Sequence, residues 1–236
     1  MRKGSPVRRS NHVPALGHSG PKGREEQSMT MHHSNRPRIG VFCLAIVLAV
    51  GSLMMSACDD GGGFVLSLEP SYTPTDLDSD QALLGAWTTT EGDTTLNFEQ
   101  GEQHKYKVVL KEKDEGRESS AEFEAHLVRL GAIWFIDFLP NGNSGGSEFY
   151  QMHLVRAHSI ARIELSRDTL QMAFLDGTWL EKKIDEKAVD ISHRKIDGML
   201  LLTGTTEEVQ DLLFQYGNDD GAFPDPTTLT RQEMQQ

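Results

Sequence analysis

The stretch LLGAWTTTEGDTTLNF, residues 83–98, decides the fold. Two segments rich in Leu, Thr, Trp and Phe, 83–90 and 94–99, flank the short polar sequence EGD. Gly and Asp favour tight turns, and short alternating runs on either side of such a turn are typical of antiparallel strands. The sequence therefore predicts a hairpin with one buried face and one solvated face.

The same pattern of short alternating runs and turn residues continues to Leu175. In residues 121–130 (AEFEAHLVRL), Phe123, Ala125 and Leu127 point to one side of the predicted strand. Segment 132–138 (AIWFIDF) is apolar on both faces and is expected to be covered on both sides. The further predicted strands are 105–112, 121–130, 132–138, 148–157, 160–166, 169–175 and 199–203.

A sheet of eight or nine antiparallel strands has two exposed edges, and closing it into a barrel removes both. The expected fold class is therefore mainly β, an antiparallel meander that closes into a barrel within residues 83–236. Two capping boxes add two short helices, which open at TWLE (178–181) and at TTEE (205–208). The second helix, nearer the C-terminus, ends at Gly217, and the Pro-containing tail from Asn218 is predicted as loop.

Gly85 and Trp87 form a Gly-x-Trp sequence on the first predicted strand. With its hairpin, this sequence resembles the start of lipocalin-like barrels, and residues 83–236 also resemble uncharacterised bacterial lipoproteins. The resemblance implies a lipocalin-like β-barrel whose floor is closed by Trp87, and it makes a small apolar ligand a candidate partner. In that family a late-strand Arg lies over the Trp, and the sequence pattern does not identify such an Arg here.

The most apolar part of the chain is IGVFCLAIVLAV, residues 39–50, which follows Arg36 and Arg38. A basic flank, a short apolar core and small residues after it are typical of a secretory signal peptide, predicted here as residues 31–57. A transmembrane helix is the alternative, because the uncharged run 39–57 approaches the length that spans a bilayer. Residues 1–30 are then a disordered extension or follow from a misassigned start.

Met55-Ser56-Ala57-Cys58 resembles the lipobox of bacterial lipoproteins. The resemblance implies cleavage before Cys58, attachment of palmitate-type acyl chains to it, and anchoring on the exported side of a cell membrane. That location is the periplasmic face of the inner membrane or the outer membrane. Residues 58–82 are predicted as the lipidated cysteine and a flexible tether, and the apolar patch 64–68 leaves open the alternative of an added edge strand.

Charge divides the chain at Cys58. Residues 1–57 carry a net charge of +6, from eight Lys and Arg and two Asp and Glu; residues 58–236 carry −18, from 15 and 33. An acidic surface offers no counter-charge to nucleic acid or to anionic headgroups. Nucleic acid is therefore not expected as a partner. The expected partners are the membrane through the lipid anchor, a small apolar ligand, or an envelope protein.

The sequence contains weak matches to catalytic and metal-binding patterns. GNSGG (142–146) matches the Gly-x-Ser-x-Gly of hydrolases, but a predicted strand follows where that chemistry needs a helix. His126 and His153 lie on adjacent predicted strands without the residue spacing of a zinc site. We therefore expect no enzyme activity, no metal and no cofactor.

Asp137 is unusual because apolar residues surround it in IWFIDFLP. A carboxylate in such a strand needs a partner or has a raised pKa. Asp137 is therefore, with Trp87, a candidate ligand-binding residue; alternatively it bonds a loop backbone or pairs with Arg156.

These observations favour a non-catalytic, membrane-anchored lipoprotein that acts as a structural or interaction module of the cell envelope. The alternative is a barrel-type carrier or sensor that binds a small apolar ligand. Narrow eight-stranded barrels are often filled by their own side chains. The many large apolar residues of the predicted strands favour a filled barrel over a cavity.

Overall fold

The structure is a computed structural model that describes residues 63–142 and 153–232. The predicted signal peptide, Cys58 and most of the GNSGG segment lie outside the described residues. The strands of the described part are β1 (Val65–Ser67), β2 (Leu77–Asp78), β3 (Gly85–Thr89), β4 (Thr94–Gln100), β5 (Lys105–Asp114), β6 (Arg117–Leu130), β7 (Ile133–Pro140), β8 (Ser159–Leu165), β9 (Thr169–Phe174), β10 (His193–Ile196), β11 (Met199–Leu202) and β12 (Thr227–Arg231). The helices are a 3-10 helix (Gln81–Leu83), α1 (Gly177–Asp185) and α2 (Thr206–Tyr216).

Eight of these strands close into an antiparallel barrel. β3 to β9 pair in chain order, and β12 pairs with both β9 and β3. The long strand β6 pairs with β5 over its first part and with β7 over its last part, and β2 adds a ninth strand at its end. The predicted fold class, a mainly β meander closed into a barrel with two short helices, is confirmed.

A second layer covers the barrel wall formed by β6, β7, β8 and β9. It consists of α1, α2 and a three-stranded sheet in which β11 pairs in parallel with β1 and antiparallel with β10. Apolar residues of this layer, such as Leu180, Leu202 and Val209, form one core with outward-facing residues of the wall such as Phe135 and Ile160. The wall is therefore buried on both faces, as the doubly apolar segment 132–138 predicts.

The tail that the sequence predicts as loop contains β12, so that prediction is wrong over Thr227–Arg231. Pro224 and Pro226 exclude regular structure only as far as Pro226, and the strand begins at the next residue. Backbone pairing with β3 and β9 stabilises this short strand. The predicted strand 148–157 is also wrong over its described part, because residues 153–157 form no strand and β7 pairs directly with β8.

Residues 63–80, called the strap below, are packed on the barrel rather than forming a flexible tether. β1 pairs with β11 over Val65–Ser67, so the alternative of an added strand in the patch 64–68 is the one found. Val65 and Ser71 are buried. The tether prediction is therefore wrong over residues 63–82, because the strap supplies apolar residues to the outer core.

Helix boundaries agree with the sequence at α2 and differ at α1. Thr205 and Glu208 form the predicted capping box of α2, and Gly217 caps its end. α1 begins two residues earlier than predicted, because the Asp176 carboxylate accepts the N–H of Trp179 and acts as the N-cap in place of Thr178. Neither helix, nor any other in the described residues, is long and apolar enough to cross a membrane.

Candidate functional site

The floor of the barrel is built around Trp87. Its side chain is fully buried, and the indole N–H donates to the carbonyl oxygen of Leu83 at 2.8 Å. Leu83 belongs to the 3-10 helix that precedes β3 and is itself fully buried. The predicted position of Trp87 at the base of a closed sheet therefore agrees with the structure.

Arg231, at the end of the closing strand β12, covers the Trp87 ring. The central carbon of its guanidinium lies 4.2 Å from the ring centroid. The same guanidinium donates to the carbonyl of Leu84 at 2.7 Å and to that of Ala82. It therefore ties the last strand of the barrel to the first strand and to the 3-10 helix.

Gly85 makes this contact sterically accessible. Its φ is +112°, outside the conformations that L side chains adopt readily, and an added Cβ would lie 3.3 Å from Nη1 of Arg231. The Gly-x-Trp sequence thus has two roles in the floor: Gly85 gives the backbone shape, and Trp87 gives the ring. Sequence reasoning missed Arg231 because the tail was assigned as loop. The alternation in TTLTR (227–231), with Leu229 buried between exposed neighbours, is the signal that could have revealed β12.

The interior above the floor is occupied by the barrel's own side chains. Ring centroids lie 6.2 Å apart for Phe98 and Tyr106, and 6.2 Å apart for Phe123 and Phe138. The Tyr106 hydroxyl bonds the backbone of Asp80 beside the 3-10 helix, and burial raises the pKa of Tyr106. The other buried residues of this core are Leu83, Trp87, Leu96, Val108, Leu110, Ala125, Leu127, Ile136, Ala161, Ile163, Leu170, Met172 and Leu229.

A cleft of about 510 Å³ opens beside the floor, at the end of the barrel where β7 begins and β8 ends. Its apolar wall includes Leu127, Trp134 and Ile163, and its polar wall includes Glu164 and Asp220. The guanidinium of Arg129 lies 5.2 Å from the Trp134 ring centroid and covers part of this aromatic surface. The cleft is thus open, mixed in chemistry and located at the rim of the filled barrel interior.

Asp137 lies on the outer face of β7, beneath the strap. Its neighbours Ile136 and Phe138 face the barrel interior, and alternation therefore directs Asp137 outward. One carboxylate oxygen accepts the Ser71 N–H at 2.8 Å and the Ser71 hydroxyl at 2.7 Å. The other oxygen lies 2.5 Å from Nδ1 of His158.

These contacts decide between the alternatives for Asp137 that involve the protein itself. The expected bond to a loop backbone is present, and the partner is Ser71. Arg156 instead donates to the carbonyl of Pro140. Both oxygens of Asp137 are engaged by protein groups and the side chain is fully buried. The proposed role of Asp137 in ligand binding stays a prediction.

Ser71, Asp137 and His158 are the residue types of a hydrolase triad, but their order in space is different. The Ser71 hydroxyl donates to the carboxylate, and the carboxylate stands between it and the imidazole. Nucleophilic catalysis needs the base next to the nucleophile, so that it can accept the hydroxyl proton. This arrangement fastens the strap to the wall instead of activating Ser71.

His126 stands directly opposite Asp137 in the register of β6 and β7 and is also covered by the strap. Its ring stacks at 4.5 Å on that of Tyr72, whose hydroxyl lies 3.4 Å from Nε2. Burial lowers the pKa of His126, against the opposing effect of the Glu124 and Asp137 carboxylates. Burial, and then the same two carboxylates, raise the pKa of Tyr72 to about 12.

The strap is held from the other side by α2. The Gln210 side chain donates to the Asp76 carboxylate at 2.8 Å and to the carbonyl of Ser71 at 3.1 Å. His126 contacts Tyr72 of the strap, and His153, its predicted neighbour, is an exposed residue in a turn. In residues 63–142 and 153–232, no group of three or more His, Cys, Asp or Glu side chains converges as metal ligands.

No family model, curated protein or solved structure matches this chain.

Proposed function

We propose that this chain is an exported, lipid-anchored protein whose barrel domain is a non-catalytic structural or interaction module of the cell envelope. The filled barrel interior carries the proposal for the domain. Large side chains such as Phe98, Tyr106 and Phe138 occupy the space in which a carrier would hold its ligand. A barrel filled in this way acts through its outer surface and its ends.

The anchor is proposed from the sequence. The uncharged run 39–57 ends in Met55-Ser56-Ala57-Cys58, and Cys58 would become the acylated first residue of the mature protein. Stable anchoring needs more than one acyl chain, which lipoproteins of this type carry. The protein would therefore stay on the exported face of the inner membrane or of the outer membrane.

We also propose that the barrel is related to lipocalin-like barrels. The late-strand Arg that the resemblance leads one to expect has a counterpart in Arg231, which lies over Trp87. Support also comes from α2, because the resemblance leads one to expect a helix after the strands and α2 follows seven of the eight barrel strands.

A carrier or sensor of a small apolar ligand is the second candidate function. The cleft of about 510 Å³ beside the floor favours it, because the partly exposed residues Ile133, Trp134 and Leu165 offer an apolar surface there. The site of a ligand would then be the end of the barrel and not its interior.

Mass spectrometry of the mature protein tests the anchor. We expect an acylated N-terminal Cys58 in the wild type and an unprocessed precursor for Cys58→Ser. Cys43→Ser is the matched control, because Cys43 would leave with the signal peptide and its replacement should not block processing. A mature protein that retains residues 39–57 would contradict the proposal and favour the transmembrane alternative.

Thermal unfolding with added ligands separates the module from the carrier. Any compound that binds only the folded state raises the free energy of unfolding in a saturable manner. We expect no saturable rise in melting temperature with a fatty acid, an isoprenoid or a haem-like compound. A saturable rise with one of them, or its co-purification in native mass spectrometry, would make the carrier the better reading.

A further inference from the structure

We propose that the lipid anchor holds the domain in one orientation, with the face formed by the start of α1 and the β10–β11 hairpin against the bilayer. The proposal rests on the proposed lipidation of Cys58 and goes beyond it by naming the surface that meets the membrane. Its basis is the way in which Gly63, five residues after Cys58, is held in the domain.

Hydrogen bonds from both of its backbone groups hold Gly63 in the domain. The Gly63 carbonyl accepts the N–H of Gly177 at 2.7 Å, and its own N–H donates to the Thr178 hydroxyl at 3.1 Å. An added Cβ on Gly63 would lie 3.3 Å from the carbonyl oxygen of Gly198. Gly63 is therefore fixed between the first turn of α1 and the tip of the hairpin, and the next residue, Phe64, bridges to Asp176.

The covalent distance from the anchor to this point is short. Cys58 and Gly63 are five residues apart, and five fully extended residues reach about 18 Å at most. A domain of this size has a radius of gyration of about 15 Å, and hence a diameter on the order of 40 Å. The reach of the segment from Cys58 to Gly63 is thus shorter than the diameter of the domain. The opposite wall of the barrel therefore cannot turn toward the membrane.

The hairpin tip beside Gly63 is a tight turn with an apolar residue next to it. Asp197 and Gly198 have φ values of +49° and +86°, as in the two-residue turns that match the twist of a hairpin. Ile196, at the end of β10, exposes 46% of its surface, although most Ile side chains in folded proteins are buried. An exposed Ile next to the anchored end is suited to contact the interfacial region of a bilayer.

The segment from the start of α1 to the hairpin tip carries no net charge, whereas the rest of the domain is acidic and is repelled by anionic headgroups. Residues 177–198, from the start of α1 to the hairpin tip, contain five Lys and Arg and five Asp and Glu, and are neutral in sum. The net charge of −18 of residues 58–236 therefore lies wholly outside this segment. Anionic headgroups repel an acidic surface within a Debye length, so a segment without net charge meets less repulsion than the acidic remainder of the domain.

The strand order determines which surfaces of the barrel point away from the membrane. β9 begins near the floor, since Thr169 pairs with Thr230 beside Arg231, and it ends at Phe174 on the opposite end of the barrel. α1 starts just after that end. In the closed ring, β4 lies four strands from β8 in either direction, so the β4 wall and the floor end face away from the bilayer and stay open to partners.

Fluorescence quenching in vesicles tests the orientation. The mature protein, purified with its lipid and incorporated into vesicles of neutral and anionic phospholipid, carries one label at Ile196→Cys or at Glu99→Cys. Glu99 is the matched control, because it is exposed on β4 near the floor end. We expect quenchers attached to lipid headgroups to remove most of the fluorescence at position 196 and little of that at position 99.

Equal quenching at the two positions, or stronger quenching at position 99, would overturn the proposal. A second variant has about twenty Gly and Ser residues inserted after Asp60, which lengthen the connection to Gly63 and make it a flexible coil. This variant should stay bound to the vesicles but show equal quenching at positions 196 and 99. Mass spectrometry of the same samples separates the two ideas. If Cys58 is acylated and quenching is equal, the orientation fails alone; without acylation, the anchor and the orientation both fail.

Discussion

Replacement of Arg231 by Met is the most direct perturbation of the barrel floor, because Met keeps an apolar stem and removes the charge and the donors. The guanidinium lies 4.2 Å from the Trp87 ring centroid and donates to the Leu84 carbonyl at 2.7 Å. It makes two further bonds, to the carbonyls of Ala82 and Arg167. All of these contacts join β12 to other parts of the floor.

The magnitude follows from the exposure of each contact. A hydrogen bond from a charged donor contributes about 1.5–3 kcal/mol, and a cation–π contact about 0.5–2 kcal/mol. The bonds to Ala82 and Arg167 are exposed to water and are counted near zero, which leaves the bond to Leu84 and the ring contact. We therefore expect Arg231→Met to lower the free energy of unfolding by roughly 2–4 kcal/mol. That loss corresponds to a fall in melting temperature of about 5–15 °C.

Urea unfolding followed by Trp fluorescence measures this loss directly, and Arg167→Met is the matched control. Arg167 is exposed, and its replacement keeps the backbone carbonyl that Arg231 contacts, so its effect should stay within about 0.5 kcal/mol. If Arg231→Met unfolds at the same urea concentration as Arg167→Met, the guanidinium does not stabilise the floor and the reasoning fails.

Three further predictions concern the floor and the strap. Gly85→Ala should lower the free energy of unfolding by about 1–3 kcal/mol, because φ at this position is +112°, and Gly142→Ala, where an added Cβ meets nothing closer than 3.8 Å, should not. Asp137→Ala should lower the free energy of unfolding in urea by about 3–5 kcal/mol, because it leaves the buried partners Ser71 and His158 without their carboxylate. An effect as small as that of the exposed Asp114→Ala would show that these bonds do not fasten the strap to the wall. Burial lowers the pKa of His126, so the folded chain keeps it neutral while the unfolded chain takes up a proton as the pH falls through about 6.5. The melting temperature should therefore fall as the pH drops below that value, and His126→Gln should weaken the fall; an unchanged pH dependence would contradict the burial argument.

The sequence predicted the barrel because its signals are local. The alternation in β4, β5 and β6 and the turn residues between them are set by neighbours within a few positions, so period two reveals which side chains face inward. The structure places Leu96, Val108 and Phe123 inside as that pattern requires. The capping box of α2 was predictable for the same reason, since Thr205 and Glu208 satisfy each other within one turn.

The parts that sequence reasoning missed depend on distant partners. β12 has only five residues, and its pairing with β9 and β3 joins segments far apart in the chain. The strap has the Gly, Ser, Pro and Asp composition of a linker, and its order comes from contacts with β11, α2 and the wall. Composition indicates the conformational freedom of an isolated segment. β12 and the strap are instead ordered by their contacts with other elements of the fold.

Asp137 shows what the local sequence predicts and what depends on residues far away in the chain. The apolar residues around it are visible in the sequence, and they state that the carboxylate needs a partner. Which partner it finds depends on the strap, because Ser71 is 66 positions away, and on His158, 21 positions away. A carboxylate on a wall buried from both sides is tolerated only where hydrogen-bond donors are brought to it. The same residue that marks β7 as irregular in the sequence therefore explains why the strap belongs to the domain.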